Sequence, residues 1–188
     1  DGVLRHHSYK LIGVVNGIDT DVFDPSTDPL IPVNYTCDQL DKKAKNKRAL
    51  QEKLGLECRD DVPMVIMITR LVSHKGLDLV QAVMDDLMQE DIQLVIIGTG
   101  EQNYENMFRS YADQYPEKMS ANIVFDNKLA HETYAGGDLV LMPSKMEPCG
   151  LTQLIAMRYG TVPIIRETGG LYDTVPALNP ETMEGRGF

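Results

Sequence analysis

Six short apolar runs punctuate the chain, at residues 11–15, 62–69, 92–97, 122–125, 139–142 and 162–165. They are continuous rather than alternating, as expected of parallel strands covered on both faces. Between them lie stretches with helical spacing: 37–54, 74–89, 101–114, 130–135 and 151–159. This alternation predicts an α/β fold, a doubly wound, mostly parallel sheet of about six strands with helices on both faces and right-handed crossovers. Residues 19–35 hold Pro25, Pro29 and Pro32 and read as an irregular excursion after the first strand. No internal repeat or low-complexity tract competes with this assignment.

The 188 residues suit one domain with one core. The chain opens at Asp1 without an initiator Met or a secretory pattern, and its tail 179–188 carries no closing element. A single domain, truncated at both ends relative to a longer protein, is expected. No apolar run approaches the roughly 20 residues that cross a bilayer, so no membrane partner is expected. The net charge of −10 argues against a nucleic-acid-binding face and requires any anionic ligand to be gripped locally. The one basic run, 42–48, falls in a polar helical stretch and reads as a solvated face.

Cys37, Cys58 and Cys149 leave an odd thiol in any pairing and lack metal-ligand spacing, which suits reduced thiols in the cytoplasm. His6 and His7 have no ligand-type neighbours at metal-site spacing, so no metal is expected there.

In a sheet of this type, ligands bind beyond the carboxyl ends of the strands, which directs attention to the strand-to-helix turns. The first, residues 69–76, contains Arg70 and Lys75 and enters a helix with Ser73 in capping position. A lysine in the first helical turn opposes the helix dipole, and an anion held over that helix start by Arg70, Lys75 and backbone amides removes the conflict. A diphosphate is the simplest such anion; the alternative is an exposed helix-end lysine and a surface arginine. The second turn, 142–153, places Glu147 before a proline, hence in extended backbone, where its carboxylate can accept from sugar hydroxyls. Gly150 allows close approach of a ligand, and Leu151 and Thr152 offer amides and a hydroxyl to phosphate. An ordinary turn with a solvated Glu147 is the alternative. Two glycine-rich turns, Gly98-Thr99-Gly100 and Thr168-Gly169-Gly170, read either as ligand cradles or as plain tight turns.

Taken in order, Asn16-Gly17-Ile18-Asp19, Arg70 through Lys75-Gly76-Leu77-Asp78, Gly98-Thr99-Gly100, Glu147-Pro148-Cys149-Gly150-Leu151-Thr152-Gln153 and Thr168-Gly169-Gly170-Leu171 resemble the bacterial glycogen synthase and plant starch synthase family. The likeness extends across nearly the whole chain, and the run from Glu147 to Gln153 is its most specific part. It implies two facing Rossmann-like domains, the glycosyltransferase B fold, of which this chain resembles the C-terminal, ADP-glucose-binding one. The glucan acceptor would be bound by the N-terminal domain.

Carried over by that resemblance, Arg70 and Lys75 bind the diphosphate and stabilise charge on departing ADP, in the place a metal holds in other transferases. Neither cofactor nor metal is then expected. Glu147, Cys149 and Asn16 contact glucose. Gly150 and Leu151 supply amides, and Thr152 meets the distal phosphate. Gly98, Thr168, Gly169 and Gly170 complete the donor site. Phe125 stacks on adenine, with a core phenylalanine at a strand end as the alternative. Two positions depart from the pattern: Ile155 stands where many related transferases place a second Glu, and Glu101-Gln102 replace a common Asp-Pro.

The implied activity is transfer of glucose from ADP-glucose to an α-1,4-glucan with retention of configuration, in the cytoplasm of a bacterium or a plastid if the source is a plant. The isolated chain is expected to be inactive because half the cleft is absent. The alternatives are a nucleotide-sugar epimerase-like domain and a non-catalytic nucleotide-binding module.

Overall fold

The computed structural model describes residues 2–188. After a short helix, α1 (Gly2–His6), the chain runs through irregular backbone to α2 (Leu40–Leu54) and then alternates. The order is β1 (Met64–Ile68), α3 (Leu77–Gln89), β2 (Gln93–Ile97), α4 (Gln102–Gln114), β3 (Met119–Asn122), α5 (Asn127–Gly136), β4 (Leu139–Met142), α6 (Thr152–Arg158), β5 (Val162–Ile165) and α7 (Gly170–Thr174). The strands form one sheet in the order β3-β2-β1-β4-β5, with every pairing parallel.

Strand parity splits the core into two layers. Met64 and Ile66 of β1 pack with Val95 and Ile97 of β2 against Leu50, Leu129, Tyr134 and Ile155 from α2, α5 and α6. Their neighbours Val65, Met67, Leu94 and Ile96 face the other way, onto Leu77, Val80 and Met84 of α3 and Tyr104 and Phe108 of α4. Successive strand residues point to opposite faces, so a central strand apolar at every position is one that helices cover on both sides.

Five strands form, not six. The run 11–15 is no strand, and Ile12 is 90 % exposed. An apolar run becomes a buried strand only beside another strand, and this one pairs with none of the five. β3 lies upstream of its expected position because Leu94 to Ile97 of β2 pair with Met119 to Asn122. That leaves Phe125 in the loop to α5, 95 % exposed, which rules out a core role for it. The tail is not loose: Phe188 N donates to Pro163 O and Ile165 N donates to Phe188 O, so the last residue pairs with the free edge of β5.

The basic run also differs from expectation. Lys43 and Lys47 are buried. Four-residue spacing puts both on the face of α2 turned to the sheet. There Lys43 Nζ donates to Tyr134 O, Ala135 O and Thr161 Oγ1, while Lys47 Nζ meets Val62 O and the Asp138 carboxylate. Backbone carbonyls at the carboxyl end of α5 and just before β1 make this burial tolerable.

The excursion 19–35 is irregular, as its prolines predict, but it is anchored. Asp28 Oδ2 accepts from Tyr159 and lies 2.8 Å from His131 Nδ1, Tyr35 OH donates to Tyr159 O, and Arg158 pairs with Asp24. Burial, reinforced by the Asp28 hydrogen bond and charge, pushes the Tyr159 phenol well above its ordinary range. No helix is long and apolar enough to cross a membrane among the described residues.

Candidate donor site

The turn between β1 and α3 is stitched to its neighbours on two sides. On one, the β1–β2 ladder continues past both strands: Thr69 N donates to Ile97 O, Leu71 N to Thr99 O and Glu101 N to Leu71 O. Gly98 is needed for this, since a Cβ there would stand 1.8 Å from Thr69 O. On the other side, His74 O accepts from Lys145 N, and Gly76 presses on the end of β4, where a Cβ would come within 1.9 Å of Pro143 O.

Gly76 also changes the local reading of Lys75. Residues Ser73–Lys75 form a single 3-10 turn, Gly76 takes φ +73°, and α3 starts only at Leu77 with Gly76, not Ser73, in capping position. Lys75 therefore precedes the helix instead of occupying its first turn. It points across to the turn after β4, where Nζ lies 2.5 Å from Glu147 Oε2.

Glu147 is only 8 % exposed, not solvated. Ser144 Oγ also donates to Oε2, from 3.3 Å. Among the described residues both donors reach the same carboxylate oxygen, which leaves Oε1 for a ligand hydroxyl. The backbone around Glu147 is set from behind by the turn before α7. Gly170 N donates to Glu147 O, and Cβ atoms on Gly169 and Gly170 would each come within 2.2 Å of a backbone oxygen, of Glu147 and Cys149 respectively. The glycine pair thus supports the loop, and the Gly170 amide is already engaged. Thr168 O accepts from Leu171 N at the start of the same turn.

The rest of the loop is pinned by Gln153, a fully buried residue to which the sequence reading gave no role. Its Nε2 lies within hydrogen-bond range of Cys149 O, Gly150 O and Thr174 Oγ1. Its place as the last residue of the motif run that begins at Glu147 is the sequence signal for it. Asn16 N donates to Cys149 Sγ, bringing those two expected contacts together. Thr152 Oγ1 donates to Ile68 O, tying α6 to the end of β1, while the amides of Gly150 and Leu151 have no protein acceptor among the described residues.

Beside this cluster, Arg70, Gly98, Thr99, Phe125, Asp126 and Ala130 line a cavity of about 230 Å³. Arg70 is exposed and makes no ion pair among the described residues. Asp126 caps α5 by accepting from Leu129 N, which fixes the loop that carries Phe125. The arrangement joins a free guanidinium, an exposed aromatic ring, an ammonium and a carboxylate around the carboxyl ends of β1, β2 and β4. Among the described residues no group of three His, Cys, Asp or Glu side chains is gathered as metal ligands.

Comparison with known proteins gives the family and the fold. The chain is 55 % identical over its whole length to a glycogen synthase of Desulforamulus reducens and 54 % identical to one of Clostridium acetobutylicum, spanning 39 % of each. The catalytic domain of starch synthase IV from Arabidopsis thaliana, solved with ADP and acarbose, superposes on 97 % of this chain with a TM-score of 0.90 at 38 % identity, this chain covering 38 % of it. Anabaena Alr3699/HepE, solved with UDP and glucose, shares the fold at 20 % identity over 90 % of this chain, which covers 42 % of it, with a TM-score of 0.63. The model of the family described as glycosyl transferases group 1 matches residues 49–179, and the chain belongs to that family.

Proposed function

We propose that this chain is the donor-binding part of a glycogen or starch synthase, an enzyme that transfers glucose from ADP-glucose to the end of an α-1,4-glucan with retention of configuration. The observation that carries the reading is the Lys75–Glu147 pair, a cation and a largely buried carboxylate brought together from two separate turns. The ADP held by the Arabidopsis starch synthase and the glycogen synthase relatives support this assignment and favour transfer over epimerisation.

In this reading Arg70 and Lys75 neutralise the diphosphate, and their stabilisation grows as negative charge gathers on the departing ADP. Glu147 Oε1 and Asn16 orient the glucose, Cys149 lines its site, and the free amides of Gly150 and Leu151 with Thr152 meet the phosphates. Phe125 forms one face of the adenine site. The glucan would be supplied on a partner domain outside this chain, in a bacterial cytoplasm or a plastid.

Calorimetric titration of the chain with ADP, ADP-glucose and UDP tests the assignment. ADP and ADP-glucose should bind saturably, and UDP at least roughly tenfold more weakly, a difference of about 1.4 kcal/mol. Preference for UDP, or no nucleotide binding, rejects it.

A further inference from the structure

We infer that Glu101 is a positioning residue for Lys75, acting through the backbone of the turn that carries the lysine. This assignment rests on the donor-binding reading above. Glu101 stands just before α4, where its carboxylate could turn back to the free amides of its own helix. It does not do so: its side chain makes no capping hydrogen bond, and Oε1 instead accepts from Ser73 N, 28 residues earlier.

The loop's own turn is closed without it, since Glu105 Oε1 accepts from Gly100 N. Glu101 is therefore spent on a neighbour. Ser73 is the first residue of the 3-10 turn that ends at Lys75, and that turn is closed by Lys75 N donating to Val72 O and Gly76 N to Ser73 O. The turn is fixed upstream by Leu71, which is fully buried, and downstream by Gly76 against Pro143. Between these anchors, Glu101 is the side chain that orients the first amide of the turn. With that amide occupied, Ser73 N is not offered to a phosphate, and the turn meets an anion through Lys75.

A carboxylate beside a diphosphate site carries an electrostatic cost, so what Glu101 supplies is an acceptor and not its charge. Glutamine at this position keeps the acceptor and removes the repulsion. Proline at Ser73 deletes the same hydrogen bond from the donor side. Proline suits the first position of a helical turn, and Val72 already has the extended backbone required before proline.

The test is affinity for ADP and AMP, by calorimetry on the 188-residue chain, with unfolding midpoints as the control for folding. Glu101→Ala and Ser73→Pro should each weaken ADP roughly five- to tenfold, the worth of one lost hydrogen bond, with AMP changed less than about twofold. Glu101→Gln should bind ADP as tightly as the parent or tighter. In a Lys75→Ala background, Glu101→Ala should add less than about twofold. Equal losses for ADP and AMP, an undiminished effect without Lys75, or unchanged ADP affinity in Ser73→Pro overturns the assignment while leaving donor binding intact. A parent chain that binds no ADP overturns the donor-binding reading and this assignment with it.

Discussion

Lys75 Nζ and Glu147 Oε2 lie 2.5 Å apart although the residues are separated by 72 positions in sequence, and both side chains are largely withdrawn from water. Each strand of the sheet delivers one turn to the same end, so residues far apart in sequence meet there. The pair ties the turn after β1 to the turn after β4, and its disruption strands a carboxylate in a poorly hydrated place. Lys75→Met should destabilise the fold by about 1–3 kcal/mol. Adding Glu147→Gln should return part of that loss. Urea unfolding of the two single variants and the double variant checks this; strictly additive losses would mean that the two groups do not interact.

Gly76 combines a positive φ with contact against a carbonyl, and only glycine meets both demands. Gly76→Ala should cost about 1–3 kcal/mol, because the backbone of α3 or of the β4 turn must retreat. Nucleotide affinity should fall alongside stability, since that retreat separates Lys75 from Glu147. A variant of parental stability in chemical denaturation would contradict the packing described.

Much of this arrangement is legible from residue types alone, and the failures have physical causes. The four strands β1, β2, β4 and β5 and the placing of chemistry in their turns follow from apolar runs and their spacing. The run 11–15 carries the same signal, but hydrophobicity cannot say whether a partner strand exists. Ser73 is a good cap by type and is displaced because Gly76 breaks the helix to accommodate Pro143, a tertiary contact. Lys43 and Lys47 read as solvated because the carbonyls that receive them belong to α5, to the approach to β1 and to other distant segments. Glu147 is expected as a ligand residue from its type and motif, while its burial and its pairing with Lys75 depend on the fold.

Phe125 offers a nearly free ring that contributes little to folding. Phe125→Ala should leave the thermal midpoint unchanged and weaken ADP roughly tenfold, in line with a lost base-stacking contact. Phe125→Tyr should bind like the parent. Equal ADP affinity of the alanine variant and the parent, measured by calorimetry, would remove the ring from the donor site.

Burial lowers the Lys43 ammonium to about 7, with the Asp138 charge opposing the shift and the Lys47 charge adding to it. Below that pH the group is protonated in both folded and unfolded chains. Above it, the folded chain releases a proton that the unfolded chain keeps until its ordinary value of 10.5. Stability should therefore rise with pH between those limits, relative to Lys43→Met, by on the order of 1 kcal/mol per pH unit. Urea unfolding of both proteins from pH 6 to 10 measures the difference. A flat difference would mean that the three oxygen acceptors keep the group charged throughout.

The most direct test of the donor-site account is a crystal structure of the chain with ADP. The account predicts the diphosphate within hydrogen-bond reach of Arg70 and Lys75, with adenine against the Phe125 ring. ADP bound at another surface, or with its phosphates remote from both cations, would contradict it.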